Sequence, residues 1–127
     1  MKKALLIKLE APTYSSIGME NAFKEHFEVR SIDWQSVRFN GGKDGLSILW
    51  QAIISECISF IPDVIFCQIQ SAGVLNEEQF KRLSDFGFVI NYTEDVREDN
   101  SWYEEVGEFI GLTILTNKDD VKRFKWN

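Results

Sequence analysis

The stretch PDVIFCQIQ, residues 62–70, decides the fold class of this 127-residue chain. After the proline comes an almost continuous apolar run of strand length, which is typical of a strand buried on both faces of a parallel sheet. Pro62 ends the helical pattern before it, because proline disfavours the helical region for the residue that precedes it. Two glutamines, Gln68 and Gln70, give the strand a polar end. We therefore predict a buried strand over residues 63–70.

A long amphipathic helix is predicted immediately before this strand. Apolar residues recur at the i, i+3, i+4 and i+7 spacing over four turns within residues 46–61. Asp44 is placed to cap the first turn of this helix. The preceding stretch QSVRFNGGKDG, residues 35–45, is predicted to be a loop, with the Gly-Gly pair at 41–42 as a flexible linker to the helix.

Strand-length runs and helical patterns alternate along the rest of the chain. The other predicted strands cover residues 4–9, 29–34, 88–92 and 112–115, and the other predicted helices cover residues 16–27, 76–87, 101–109 and the residues after 117. Asn76 with Gln79, and Ser101 with Glu104, have the spacing of a capping box, and Gly87 suits a helix C-cap.

This alternation favours parallel strands joined by right-handed crossovers. We predict an α/β fold: a single three-layer Rossmann-like domain over residues 1–127, with about five parallel strands and helices on both faces. The favoured strand order is 3-2-1-4-5, and 2-1-3-4-5 is the competing order. In either order, ligands are expected outside the carboxyl ends of the strands near strand 1.

The composition argues against several classes of function. A net charge of −6 disfavours nucleic-acid binding, and the basic residues within 118–125 are interpreted as the solvated face of a last helix. No stretch approaches the roughly 20 apolar residues of a membrane span. Cys57 and Cys67 have the spacing of neither a disulfide framework nor a zinc site. We expect them to be core thiols of a reduced, cytoplasmic protein.

Candidate binding residues occur in the loops that follow the predicted strands. After strand 1, the stretch EAPTYSSIG offers Glu10, Thr13, Ser15 and Ser16 at the start of a helix. Backbone N–H groups and hydroxyls at a helix N-terminus can hold a phosphate or another anion. Alternatively, Ser16 is an ordinary N-cap and the loop only turns the chain.

Strands 3 and 4 also end in polar residues. Gln68 and Gln70 alternate along strand 3 and point to one side, where they bind either a polar ligand or neighbouring loops. Asp95 and Arg97 bind a hydroxyl-rich ligand or pair with each other at the surface. The candidates after strand 4, which form the densest polar cluster of the predicted rim, are Asn91, Thr93, Asp95 and Arg97.

The sequence carries no complete catalytic set. Neither GxGxxG nor GxxxxGK[ST] occurs, and the lone His26 leaves nucleophilic catalysis without a triad. A phosphate-accepting receiver domain is disfavoured, because strand 3 ends in Gln70 where that class needs an aspartate. We therefore assign no catalytic residue, no metal ligand and no cofactor.

The second half of the chain resembles a known family. The run PDVIFCQIQSAGVLNEEQFKRLSDFGFVINYTEDVRED, residues 62–99, and the run GLTILTNKDDVKRFK, residues 111–125, are similar to the N-terminal domain of spore-maturation-type glycosyltransferases. These enzymes have the two-Rossmann-domain GT-B architecture. The family pattern has Pro-Asp opening strand 3, a strand ending in Asn-(aromatic)-x-x-Asp-x-Arg, and a later strand ending in Thr or Ser before a basic helix. The residues at these positions are Asn91, Tyr92, Asp95, Arg97 and Thr116.

The resemblance implies the acceptor-side domain of an enzyme that uses a nucleotide-sugar donor. A second, C-terminal Rossmann domain or subunit would hold the donor, so this chain alone is expected to be inactive. The expected partners are an acceptor sugar or glycan and that second domain. The alternative is a non-catalytic flavodoxin-like domain that binds a small molecule or a partner protein, since the loop TYSSIG, residues 13–18, loosely resembles a flavodoxin phosphate loop.

Overall fold

Five parallel strands make one sheet in the computed structural model, which describes residues 1–10, 15–93 and 106–115. The strands are β1 (Lys3–Lys8), β2 (Glu28–Asp33), β3 (Val64–Cys67), β4 (Phe88–Thr93) and β5 (Leu112–Leu115). The helices are α1 (Ile17–Lys24), α2 (Trp34–Asn40), α3 (Gly45–Phe60) and α4 (Glu77–Phe86), with 3-10 turns at Gly42–Asp44 and Gly107–Phe109. The predicted α/β class, with about five parallel strands and helices on both faces, is confirmed.

The strand order is β2-β1-β3-β4-β5, so the predicted order 3-2-1-4-5 is wrong and the competing order is observed. β1 pairs with β2 on one side and, through Ala4–Ile7 against Val64–Cys67, with β3 on the other. Burial explains this order. The residues of β3 are buried except for the half-buried Val64, which suits an internal strand, whereas β2 leaves alternate residues exposed and suits an edge.

Helices α2, α3 and α4 cover the first face of the sheet. The strand residues on this face include Leu5, Ile7 and Ile65, all fully buried. The helices contribute apolar side chains from their inward stripes, as the i, i+3, i+4 spacing predicts. These helix residues are Trp34 from α2, Leu49, Ile53, Cys57 and Phe60 from α3, and Phe80 and Leu83 from α4.

Helix α1 covers the second face with a smaller apolar cluster. Ala4, Leu6 and Phe66 are buried there against partly buried residues that include Met19 and Phe23 of α1. The Phe23 and Phe66 rings lie 5.1 Å apart between centroids, a tilted arrangement that aromatic pairs favour. The face is polar towards the carboxyl end of β1.

The predicted loop and flexible linker at residues 35–45 are wrong, because most of this stretch is helical. Asp33 caps α2: its carboxylate accepts from the Ser36 backbone N–H at 3.3 Å and from the Ser36 hydroxyl at 2.8 Å. A Cβ on Gly45 would lie 1.8 Å from the Arg38 carbonyl oxygen, so α2 and α3 approach through a backbone contact that only glycine allows. The Asp33–Ser36 spacing was the local sign of this helix.

Most predicted helix ends are confirmed within the described ranges. Asn76 and Gln79 form the reciprocal capping box of α4, and Gly87 is its C-cap. Asp44 precedes α3 but makes no side-chain capping bond, and α3 ends before Pro62. The predicted capping box at Ser101 and Glu104 and the predicted closing helix after 117 lie outside the described residues.

None of the helices in the described ranges combines the length and the apolar character needed to cross a bilayer.

Candidate functional site

The carboxyl ends of the five strands form one edge of the sheet, where the candidate residues were predicted to meet. In the order β2-β1-β3-β4-β5, β2 lies on one side of β1 and the later strands lie on the other. The space between the ends of β1 and β3 is therefore the switch point, which is where open α/β sheets bind ligands. Glu10 follows β1, Gln68 and Gln70 follow β3, and Asn91 lies near the end of β4. The structure therefore places these four residues at the same edge.

Asn91 is fully buried and ties β4 to the chain beyond β3. Its Oδ1 accepts from the Ile69 backbone N–H at 3.0 Å, and its Nδ2 donates to the Ile69 carbonyl at 3.2 Å. The two bonds reproduce a strand pairing at a point where β3 has already ended. The Asn91 amide is therefore a structural latch between β4 and the loop after β3.

Gln68 makes the equivalent connection towards β1. Its Oε1 accepts from the Leu9 backbone N–H at 2.9 Å, and the indole N–H of Trp34 donates to its carbonyl at 2.8 Å. Both side chains are buried. Of the two readings of Gln68 left open by the sequence, bonding to neighbouring segments is thus observed. Gln70 is only half-buried, and no described residue hydrogen-bonds its side chain.

The Glu10 side chain contacts the residue that precedes α1. Its Oε1 accepts from the Ser16 backbone N–H at 3.1 Å and from the Ser16 hydroxyl at 2.5 Å. These bonds, above all that from the hydroxyl, lower the pKa of Glu10 below its ordinary value of 4.5. A carboxylate of the chain itself thus takes the two Ser16 donors, which the sequence offered to a phosphate. Ser16 is buried, whereas Ser15 is exposed.

A charged cluster beside this helix start was missed by sequence reasoning. Lys8 Nζ lies 2.8 Å from Glu20 Oε2 and 3.5 Å from Glu10 Oε1, and the Ser31 hydroxyl donates to Glu20 Oε1 at 2.6 Å. We call Lys8, Glu10, Glu20 and Ser31 the charged cluster. The only local sign was a charge, Lys8, that interrupts an apolar strand.

The pKa shifts of the cluster follow from these contacts. The hydrogen bonds from Lys8 and Ser31 lower the pKa of Glu20 below its ordinary value, against the opposing effect of burial. Burial acts to lower the pKa of Lys8, but its contacts with Glu20 and Glu10 raise it above the ordinary value. Lys8, Glu10 and Glu20 are therefore charged at neutral pH, and the Lys8 ammonium pairs with both carboxylates.

Several predicted site residues lie where the structure gives no account of them. Thr13, Asp95 and Arg97 are outside the described residues, and of Thr93 only the backbone is described, as the last residue of β4. Their assignment as binding residues stays a prediction.

A cleft of about 330 Å³ opens between the N-terminal ends of α3 and α4 and was not predicted. Its walls come from the first turns of α3, from the loop after β3 and from the start of α4. Both helix N-termini face the carboxyl edge, so the cleft lies on the predicted side of the sheet. We call it the α3–α4 cleft, and its lining includes Ser47, Trp50, Gly73, Val74, Asn76 and Gln79.

The cysteines take no part in this edge as nucleophiles. Both are buried and free, and burial raises the pKa of Cys57 to about 11 and that of Cys67 further still. A thiol with a raised pKa carries little thiolate at neutral pH and reacts slowly. Within the ranges that the structure describes, no group of three or more His, Cys, Asp or Glu side chains could hold a metal ion.

No family model, curated protein or solved structure matched the chain. The fold and the edge therefore define a class only: a Rossmann-like α/β domain of strand order 2-1-3-4-5 with a latched, polar carboxyl edge.

Proposed function

We propose that the chain is the acceptor-side domain of a glycosyltransferase that uses a nucleotide-sugar donor. The observation that carries the proposal is the Asn91 latch. Asn91 opens the family-like motif Asn-Tyr-x-x-Asp-x-Arg, and its amide fixes the end of β4 to Ile69 in the loop after β3. The latch therefore fixes the carboxyl-terminal half of β4 against the loop that carries Ile69 and Gln70.

A rigid strand end matters for a binding site because binding residues are positioned accurately only when the elements that carry them are held in place. The latch is neutral and buried, so it does not itself present a binding group. Binding is assigned to side chains that stay accessible, Ser15 and Gln70, and to Asp95 and Arg97 of the motif. A carboxylate and a guanidinium together provide acceptors and donors for sugar hydroxyls.

The domain supplies only part of the reaction. In the proposed enzyme the nucleotide-sugar donor is held by a second Rossmann domain or subunit, and transfer takes place between the two. The chain alone binds the acceptor and does not catalyse transfer.

The test is a transfer assay with nucleotide-sugar donors, run on the chain alone and on the chain together with the second Rossmann domain from its locus. Transfer is expected only with both parts. Asp95→Asn is expected to reduce transfer at least about tenfold, because hydrogen bonds to charged groups contribute about 1.5–3 kcal/mol. Asp85→Asn, at an exposed carboxylate of α4, is the matched control and should leave transfer unchanged. Absence of transfer by the combined parts for all donors would refute the proposal.

The strand order favours a second candidate, a flavodoxin-like binding domain. Order 2-1-3-4-5 is that of flavodoxins, whose ligand binds at the β1/β3 switch point. Against a phosphate-anchored flavin stands Glu10, whose carboxylate already accepts the Ser16 N–H at the start of α1. A yellow protein, or a thermal shift with flavin mononucleotide, would support this candidate, and a colourless protein with no shift would oppose it.

A further inference from the structure

We propose that the α3–α4 cleft is a binding subsite for a neutral saccharide, with one sugar ring packed on Trp50. The cleft has the volume of a small-ligand pocket, about 330 Å³ against a usual range of roughly 300–1,000 Å³. It opens at the carboxyl edge, on the α3 and α4 side of the sheet. The inference rests on the proposed function only in calling this saccharide an acceptor.

Trp50 provides the aromatic part of the apolar surface of the cleft, beside Leu46 and Val74. The side chain is half-buried against the main core, so its ring is held in place but not fully covered. No residue in the described ranges accepts a hydrogen bond from its indole N–H, which is therefore available to a ligand. An amphipathic ring of this kind contacts the C–H face of a sugar and still offers a polar donor.

The cleft offers several side-chain hydrogen-bond donors. In the capping box, Asn76 Oδ1 accepts from the Gln79 backbone N–H and Gln79 Oε1 accepts from the Asn76 backbone N–H, each at 2.8 Å. Each amide therefore has its oxygen engaged and its NH₂ group left as a donor. The Ser47 hydroxyl can donate and accept. A ligand rich in hydroxyl oxygens matches this set.

The charge distribution favours a neutral ligand over a phosphate. The residues that line the cleft carry no formal charge. Asp44 precedes α3, and Glu77 and Glu78 stand in the first turn of α4, so carboxylates oppose the positive ends of both helices. A nucleoside diphosphate would find no cation among the lining residues to neutralise it, whereas a neutral saccharide needs none.

The experiment is a titration of the full chain with neutral mono- and disaccharides of glucose, galactose, mannose and N-acetylglucosamine, followed by ¹H–¹⁵N NMR. At least one of these probes should bind with a roughly millimolar Kd and shift the Trp50 indole N–H and the Gly73 amide. Trp50→Ala and Asn76→Asp should each weaken this binding at least about fivefold. Asn76→Asp is the sharper variant, because aspartate caps a helix as well as asparagine does but lacks the NH₂ donors.

Phe39→Ala removes an exposed aromatic ring from outside the cleft and is the control that should bind unchanged. The proposal is overturned if none of the saccharides binds, if binding shifts other regions and not the cleft, or if uridine diphosphate binds the cleft in preference to all of them. Because binding is measured on the chain alone, it is independent of transfer. Saccharide binding without transfer would refute the proposed glycosyltransferase function and leave the saccharide subsite standing. Transfer by a chain whose cleft binds no saccharide would refute the subsite and leave the proposed function standing.

Discussion

Different interactions hold the helices to the two faces of the sheet. The first face packs against α2, α3 and α4 through apolar side chains. The contacts beside it are also uncharged: the α2–α3 approach at Gly45 and the Asn91 latch between β4 and the loop after β3. The second face packs against α1 through a small aromatic cluster and, towards the carboxyl edge, through the charged cluster around Glu20. The core of the first face excludes both water and charge, while the second face leaves the charges of its cluster partly accessible.

This difference determines how each face should respond to change. Close packing and buried neutral bonds are sensitive to volume and to lost partners but insensitive to pH. Partly buried ion pairs respond to pH and are individually weaker. Perturbations of the first face should therefore be the costlier ones, and perturbations of the second face should be the ones that depend on pH.

The largest effect is expected at the α2–α3 contact. Gly45→Ala should destabilise the protein by about 3 kcal/mol or more, because the added Cβ would overlap the Arg38 carbonyl and neither backbone can yield cheaply. Urea unfolding measures the change. Gly18→Ala is the control: that glycine lies in α1 with open space around it, so alanine should stabilise by about 0.5–1 kcal/mol. A Gly45→Ala protein of unchanged stability would show that the contact is loose.

The next effect is expected at the latch. Asn91→Ala leaves the Ile69 N–H and carbonyl buried without partners and should cost about 2–3 kcal/mol. The loss should be the same at pH 7 and pH 5, since no titratable group takes part. Asn21→Ala, at an exposed position of α1, should change stability by less than about 0.5 kcal/mol. Equal effects of the two substitutions would contradict the structural role of Asn91.

A smaller, pH-dependent effect is expected on the second face. Glu20→Gln weakens the contact with Lys8 and should cost about 1–2 kcal/mol at pH 7. The folded pKa of Glu20 lies below its ordinary value of 4.5, so its stabilisation is complete above that value and is lost as the pH falls through the folded pKa. Acid should therefore narrow the gap between the wild type and the variant. Unfolding curves at pH 7 and about pH 3 measure it, and a gap that widens in acid would refute this sign.

The smallest effect is expected at an exposed ion pair on the rim of the first face. Glu56 Oε2 lies 3.1 Å from Arg30 Nη1, and both side chains are more than a third exposed. Glu56→Gln should cost about 0.5 kcal/mol or less, since exposed pairs contribute little and salt screens them. Comparison with Glu20→Gln, the same substitution at a mostly buried carboxylate, isolates the effect of burial. If Glu56→Gln costs more than Glu20→Gln, burial does not govern these pairs.

Local pattern was enough to predict much of this fold. The strand at 112–115, the capping box of Asn76 and Gln79 and the end of α3 before Pro62 all depend on residues close in sequence, and all are observed. The parallel class also followed, because helices alternate with strands. In the same way, the carboxyl edge could be predicted as the place where Glu10, Gln68, Gln70 and Asn91 meet.

Only the tertiary structure decided which strands pair and which polar groups bond. The order 2-1-3-4-5 depends on β3 entering the sheet beside β1, a choice between distant segments that periodicity does not encode. Gln68 and Asn91 bind backbone rather than ligand because the ends of β1, β3 and β4 converge. The charged cluster of Lys8, Glu10, Glu20 and Ser31 and the α3–α4 cleft arise in the same way. Each brings together residues from different elements. The local sequence determines whether a segment is a helix or a strand, through the spacing of its apolar residues, but it does not determine which elements pack beside it.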